Sequence, residues 1–289
     1  MCLTKVKLGR RDAKSLVGAF LFLPGYGFQN KFLLQSIAMK LHKLLACTLV
    51  TFAAVAALAS SAQAGIVING TRVVFPGNER EVTVKLTNAG KRPSLVQAWM
   101  DKGDAGARPE TISVPFTLSP PIFRMDPNKG QTVRMISTGE AMPQDKESIF
   151  WFNILEIPPK PELASADENA LQIAFRTRIK VFYRPQGLAA ADVDNAPARL
   201  TWKIVSGADG KGDAVEVKNP TPFYITVSKL NLQGGGKSLD AAPGMVEPFG
   251  VITLAVADAA TVPAGPVELT FHAINDYGGE VPRTQAVTR

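Results

Sequence analysis

Cysteine and histidine are almost absent from these 289 residues, which hold two of each: Cys2, Cys47, His42 and His272. Three of the four stand within residues 1–64, so everything after them has His272 alone and no thiol. That excludes a zinc site of the usual Cys/His ligand set and a disulfide framework for the bulk of the chain. A Ser-His-Asp hydrolase needs a histidine as general base. His272 lies within the apolar run Val267 to Asn275, with Phe271 and Ile274 around it, and a structural or surface histidine fits that setting better than a catalyst. Glycine-rich phosphate loops and dinucleotide fingerprints are missing too. Carboxylates are plentiful, but nothing in their spacing pairs two of them at a cleft. The chain reads as a non-enzyme without metal or cofactor.

Basic charge is in excess only at first sight. Of 32 Lys and Arg, eight fall in residues 1–64, against one of the 25 Asp and Glu, so 24 of each sign remain from Gly65 onward. The high isoelectric point therefore belongs to the leader and gives no licence for nucleic-acid or membrane-surface binding. In that leader, Met39 is followed by Lys40 and Lys43, an apolar run from Leu44 to Leu58, and Ala62-Gln63-Ala64. This is the basic, apolar and small-residue order of a secretory signal peptide, with an apolar run too short for the roughly 20 residues that span a bilayer. Residues 39–64 are expected to be removed near Ala64, and residues 1–38 read as a misassigned upstream extension. Cys47 follows Leu44-Leu45-Ala46 as a lipoprotein acceptor would, but an uninterrupted apolar run continues after it, as in an h-region.

Helical period is the third thing the chain lacks: no stretch longer than about two turns carries it. What recurs is alternation of apolar and polar residues, over Val82 to Leu86, Leu95 to Trp99, Val133 to Ile136 and Ser148 to Ile157. A second series follows at Leu200 to Val205, Ala214 to Lys218, Phe223 to Leu232, Gly250 to Val256 and Val267 to Asn275. Between the series, Gln186 to Pro197 is rich in Ala, Asp, Gly and Asn and has no period, as a hinge would. Many short strands with turn residues between them predict an all-β protein of two sandwiches in tandem. The expected domains are residues 65–185 and 198–289, joined by residues 186–197.

One stretch stands apart. From Leu171 to Pro185, Leu171, Ile173, Phe175, Thr177 and Ile179 share one parity, and Gln172, Ala174, Arg176, Arg178 and Lys180 the other. The period predicts a single, unusually long strand. At a sheet edge, such a strand would invite another chain to pair with it.

Four local patterns then combine. They are Asn69-Gly70-Thr71-Arg72-Val73-Val74-Phe75; Asp145-Lys146-Glu147-Ser148-Ile149-Phe150-Trp151-Phe152-Asn153-Ile154-Leu155-Glu156-Ile157-Pro158-Pro159; Arg178-Ile179-Lys180-Val181-Phe182-Tyr183-Arg184-Pro185; and Ala273-Ile274-Asn275-Asp276-Tyr277-Gly278-Gly279. In this order the chain resembles the periplasmic pilus-assembly chaperones, the PapD-like family of chaperone–usher systems. The resemblance implies a boomerang of two immunoglobulin-like domains. Such a chaperone lends a strand to a pilus or fimbrial subunit lacking its own, and passes the subunit to an outer-membrane usher.

The resemblance also assigns residues. Leu171, Ile173 and Phe175 match the side chains inserted into the subunit groove. Arg72 and Lys180 match the cleft pair that anchors the subunit's C-terminal carboxylate. Glu147, Arg184 and Asp276 match an interdomain ion network with a structural role. The short polar segment Lys160 to Ala170, without cysteines, looks like the short-loop class of the family, which typically serves rigid pili. Two further expectations accompany this reading: the exposed apolar edges leave self-association of the free chaperone open, and the competing class is an exported immunoglobulin-like adhesin or structural pilus component.

Overall fold

The computed structural model describes residues 65–160, 171–188, 190–207 and 210–287. The expected upstream extension, the signal peptide and most of the segment before Leu171 lie outside these residues. Alternation resolves first into nine strands: β1 (Ile66–Ile68), β2 (Arg72–Pro76), β3 (Glu81–Asn88), β4 (Ser94–Asp101), β5 (Phe116–Ser119), β6 (Ile122–Met125), β7 (Gly130–Ser137), β8 (Ser148–Ile157) and β9 (Phe175–Arg184). They form two sheets, ordered β1-β3-β7-β5 and β2-β9-β8-β4-β6. Period-two patterning sends one face of each sheet inward, and Phe75, Val84, Leu86, Val133, Phe152 and Val181 are buried between them.

The second set comprises β10 (Thr201–Ser206), β11 (Asp213–Lys218), β12 (Ile225–Gly234), β13 (Lys237–Ala241), β14 (Gly244–Val246), β15 (Val251–Ala255), β16 (Val267–Ile274) and β17 (Glu280–Val287). Its sheets run β10-β11-β15 and β13-β12-β16-β17, with β14 also on β12, and enclose a separate core around Val215, Leu232, Leu269 and Phe271. The expected all-β tandem of immunoglobulin-like sandwiches is what the chain forms. Gly235 and Gly236 make the β12–β13 turn, between Gly234 and Lys237. Gly235 and Gly236 have φ of 55° and 75°, the two consecutive positive values a tight type I′ hairpin requires. The stretch expected to be a period-less hinge differs: it contains a short helix, α1 (Ala190–Asn195), and a 3-10 turn over Ala196–Arg199. Pro197 near the start of that turn suits helix initiation, a local signal that a periodicity search over so few residues does not register.

Two details of the first sandwich position the site. The chain leaves β1, which pairs antiparallel with β3, crosses at Gly70 with φ of 119°, and enters the other sheet as β2. There it runs parallel to β9, from Arg72 opposite Lys180 to Pro76 opposite Arg184. On its other side β9 pairs with β8 from Phe175 to Tyr183. Among the described residues, Phe175 to Ile179 therefore have a strand neighbour on one side only. The second detail corrects the sequence reading: the strand begins at Phe175, not Leu171, and Leu171–Ala174 are unpaired. Pairing ends at Glu156 opposite Phe175. Just beyond, β8 gives way to Pro158-Pro159, which have no N–H to offer a ladder. A side-chain tie reaches this segment from Gln172, whose Nε2 donates to Pro158 O at 2.7 Å.

Candidate functional site

The parallel register of β2 and β9 puts two cations side by side, Arg72 and Lys180. Arg72 Nη1 donates to the Ile274 carbonyl at 3.1 Å, and its guanidinium lies over the Phe182 ring at 5.5 Å. Its Nε is buried without a hydrogen-bond partner. Lys180 Nζ stands 5.7 Å from the Trp151 ring centroid and 3.5 Å from Thr226 Oγ1. Among the described residues, no acidic side chain pairs directly with either cation. Both are held below their ordinary pKa. Burial is the leading cause in each; Arg72 adds repulsion at Lys180, whereas Asp276 and Glu147 only partly offset burial at Arg72. Two half-desolvated cations with unused donors are a preformed place for an anion, and a carboxylate, with two acceptor oxygens, fits two donors. A cavity of ≈ 160 Å³ lies alongside, with Arg72, Phe182, Tyr224 and Ile274 in its wall.

Both cations lean on the second sandwich, through Ile274 and Thr226, so its placement decides the site. Arg184 joins the two. Its Nε donates to Glu147 Oε1 at 2.8 Å, and Nη1 and Nη2 grip the Asp276 carboxylate at 2.7 and 2.9 Å. Glu147 Oε2 accepts from the Tyr224 N–H at 2.9 Å, and the Glu147 N–H donates to the Pro222 carbonyl at 2.9 Å. Burial pushes the Glu147 carboxyl above its usual range, against the pull of Arg184 and the Tyr224 N–H. The Arg184 guanidinium also loses solvation, but Asp276 and Glu147 more than compensate and hold it above its ordinary value. Burial, with Glu247 and Glu147 nearby, pushes the Tyr224 phenol up to about 12. The turn carrying Asp276 is packed close: Gly278 has φ of 85°, and a Cβ there would collide with Thr71 Oγ1. The three network residues named from sequence are thus brought together, as are the two cations.

Leu171, Ile173 and Phe175 are 86, 52 and 63% exposed. Three large apolar side chains more than half exposed on one short segment make an apolar surface patch. Phe175 begins the half-free edge of β9, and that edge ends where Arg72 faces Lys180.

Sequence reasoning missed a second group, on the opposite face of the same strand. Asp101, 1% exposed, accepts from Arg178 through both carboxylate oxygens, from Asn153 Nδ2 at 2.8 Å and from the Gly103 N–H at 2.7 Å. Burial alone would raise its pKa, but these donors hold the carboxyl below its usual range. Arg178 stacks on Trp151 at 4.0 Å, and Arg176 on Trp99 at 4.8 Å. The alternation of Arg176, Arg178 and Lys180 was legible, but their partners lie on β4 and β8, and no local pattern joins them. His272 sits partly exposed on β16, with Nδ1 3.2 Å from Glu280 Oε2. Glu280 also takes Lys229 at 2.8 Å, so His272 borders a surface Lys–Glu pair.

Fold and site together define a two-sandwich protein that presents a half-paired strand next to an anion-ready cleft. Comparison with known proteins gives that class its family. Residues 65–189 match the family described as "Pili and flagellar-assembly chaperone, PapD N-terminal domain", and residues 195–285 match "Pili assembly chaperone PapD, C-terminal domain". The probable fimbrial chaperone YadV of Escherichia coli (strain K12) is 43% identical over 236 residues, 81% of this chain and 94% of that one. The chaperone protein MrkB of Klebsiella pneumoniae is 41% identical over 245 residues, 84% and 97% of the two chains. The crystal structure of the YadV chaperone superimposes with a TM-score of 0.66 at 38% identity, over 77% of this chain and all of the other. A Salmonella enterica SafA pilin–SafB chaperone complex matches with a TM-score of 0.60 at 26% identity, covering 78% of this chain and 98% of the matched one. The chain belongs to the PapD-like pilus-assembly chaperones of the chaperone–usher pathway. The adhesin reading is not favoured by any of these likenesses.

Proposed function

We propose that this chaperone works in the periplasm, after removal of its leader near Ala64, and completes pilus subunits with β9 before an outer-membrane usher takes them. Residues 65–185 and 198–289 act as its two domains. In this reading the subunit's last strand pairs with the half-free edge of Phe175–Ile179. Leu171, Ile173 and Phe175 enter the subunit's groove, and the subunit's terminal carboxylate lies between Arg72 and Lys180. Glu147, Arg184 and Asp276 hold the angle between the domains, and so the cleft.

The observation that carries the proposal is the coincidence of an open strand edge with a cation pair at its closed end. The two features need each other. Backbone pairing is insensitive to a slip of the partner, yet a slip of one residue turns every side chain to the wrong face. Fixing the partner's last residue by its carboxylate fixes the register. The test is capture of a co-expressed pilus subunit from periplasmic extract. Arg72→Ala and Lys180→Ala should each weaken capture by roughly 2–5 kcal/mol, the range for removing one partner of a buried charge pair, while the chaperone stays folded. Undiminished capture by both variants would remove the carboxylate from the mechanism.

A further inference from the structure

Between Phe175 and Ile179, very little of the usual machinery holds β9 in place. Among the described residues it has ladder bonds to β8 alone. Phe175 and Thr177 are exposed, so the sandwich core grips this part of the strand only at its inner end, through buried Ile179. What remains is the other face. There Arg178 is forked onto buried Asp101 and stacked on Trp151. Arg176 is stacked on Trp99 and donates through Nε and Nη2 to Asn153 Oδ1 at 3.1 and 2.8 Å. Asn153 in turn donates to Asp101. Trp151 also lies against Lys180, so the row of cations and indoles runs from the strand's open end to the cleft. Where the row stops, the strand stops: Leu171–Ala174 have no such partner and no strand pairing.

We propose that Asp101 is a positioning residue: through Arg178, Asn153 and Arg176 it keeps Phe175–Ile179 extended, with one edge open, before any partner arrives. This rests on the reading of β9 as the lent strand. The physical logic is that a strand offered to another chain cannot be fastened by its free edge or by the face it lends. The face that neither lends nor pairs is the one left to hold it. Guanidinium stacked on indole and forked onto a carboxylate suits that task, because the planar contact fixes the direction of the side chain as well as its charge. Ordering the strand in advance spares the complex that entropy at the moment of pairing.

The test compares the mature chain with Asp101→Asn, Arg178→Gln and Arg176→Gln by amide hydrogen exchange. Arg176→Gln is the safeguard, since its side chain is partly exposed and its loss should leave the sandwich folded. Exchange at Phe175–Ile179 should speed up on the order of tenfold, while β12 and β16 keep their protection, as local opening does. Arg178→Lys, which keeps the charge but loses the fork, should restore little. Capture of a co-expressed pilus subunit should fall in the same rank order as protection. Unchanged exchange at Phe175–Ile179 in folded variants overturns the proposal, and so does faster exchange with undiminished capture. If the wild-type chain captures no subunit, the lent-strand reading fails, and the exchange comparison still decides whether Asp101 orders the strand.

Discussion

Lys180 carries its charge against its surroundings. Burial and the neighbouring Arg72 both disfavour its charge in the free protein. A carboxylate arriving between them reverses this, so Lys180 should take up protons on binding when the pH lies above its lowered free value. Affinity is then flat below that value and falls as pH rises through it. Calorimetry in buffers of differing ionisation heat would show the uptake, and Lys180→Arg should move the fall to higher pH. The same residue works against folding. Between its lowered folded value and the ordinary 10.5, the unfolded chain binds more protons, so this group's contribution to stability increases with pH. Lys180→Met should accordingly leave stability unchanged or raise it by up to about 1 kcal/mol while weakening capture as Lys180→Ala does, the trade-off common at functional sites. A thermal melt beside a capture assay checks both halves. Arg72 and Lys180 were legible in sequence only through the family motif. Taken alone, each is one more charge on a strand, and their adjacency arises from a parallel register across 108 residues of chain.

At the scale of elements, legibility followed the packing. Ser148 to Ile157 was readable to the residue, because β8 lies between two neighbours and its composition answers to burial. β17 was missed: Glu-Val-Pro-Arg-Thr-Gln-Ala-Val carries a proline and several polar residues, as an edge strand next to β16 tolerates. β9 was overextended because alternation reports which face a residue would occupy and says nothing of whether a partner strand is there. Leu171 to Ala174 keep the pattern without the pairing. That mismatch itself yields a prediction. Leu171→Ser, Ile173→Ser and Phe175→Ser remove side chains more than half exposed. Each should change stability by no more than about 0.5 kcal/mol. Each should nonetheless weaken capture of a pilus subunit. Urea unfolding midpoints set against capture yields separate the two, and a large loss of stability would mean that these side chains serve the chaperone's own core.

For the whole molecule, the deciding contact is between the sandwiches. Arg184, Glu147 and Asp276 come from three distant parts of the chain, and two of the three are nearly buried. In the proposed mechanism this network sets the angle between the domains, and breaking it is costly, since removing one member leaves charges unpaired. Arg184→Ala should destabilise by roughly 3–5 kcal/mol and split a single calorimetric transition into two, as each sandwich melts around its own core. A single unshifted transition would mean that the domains are coupled by other contacts. In the proposed mechanism the open edge of β9 is completed by another chain, with that chain's last carboxylate at the cations. Its most direct test is the crystal structure of this chaperone with a co-purified pilus subunit. The predicted result is a subunit strand hydrogen-bonded to Phe175–Ile179 on the side away from β8, its terminal carboxylate within about 3 Å of Arg72 and Lys180. A subunit bound elsewhere, with that edge still open, would contradict it.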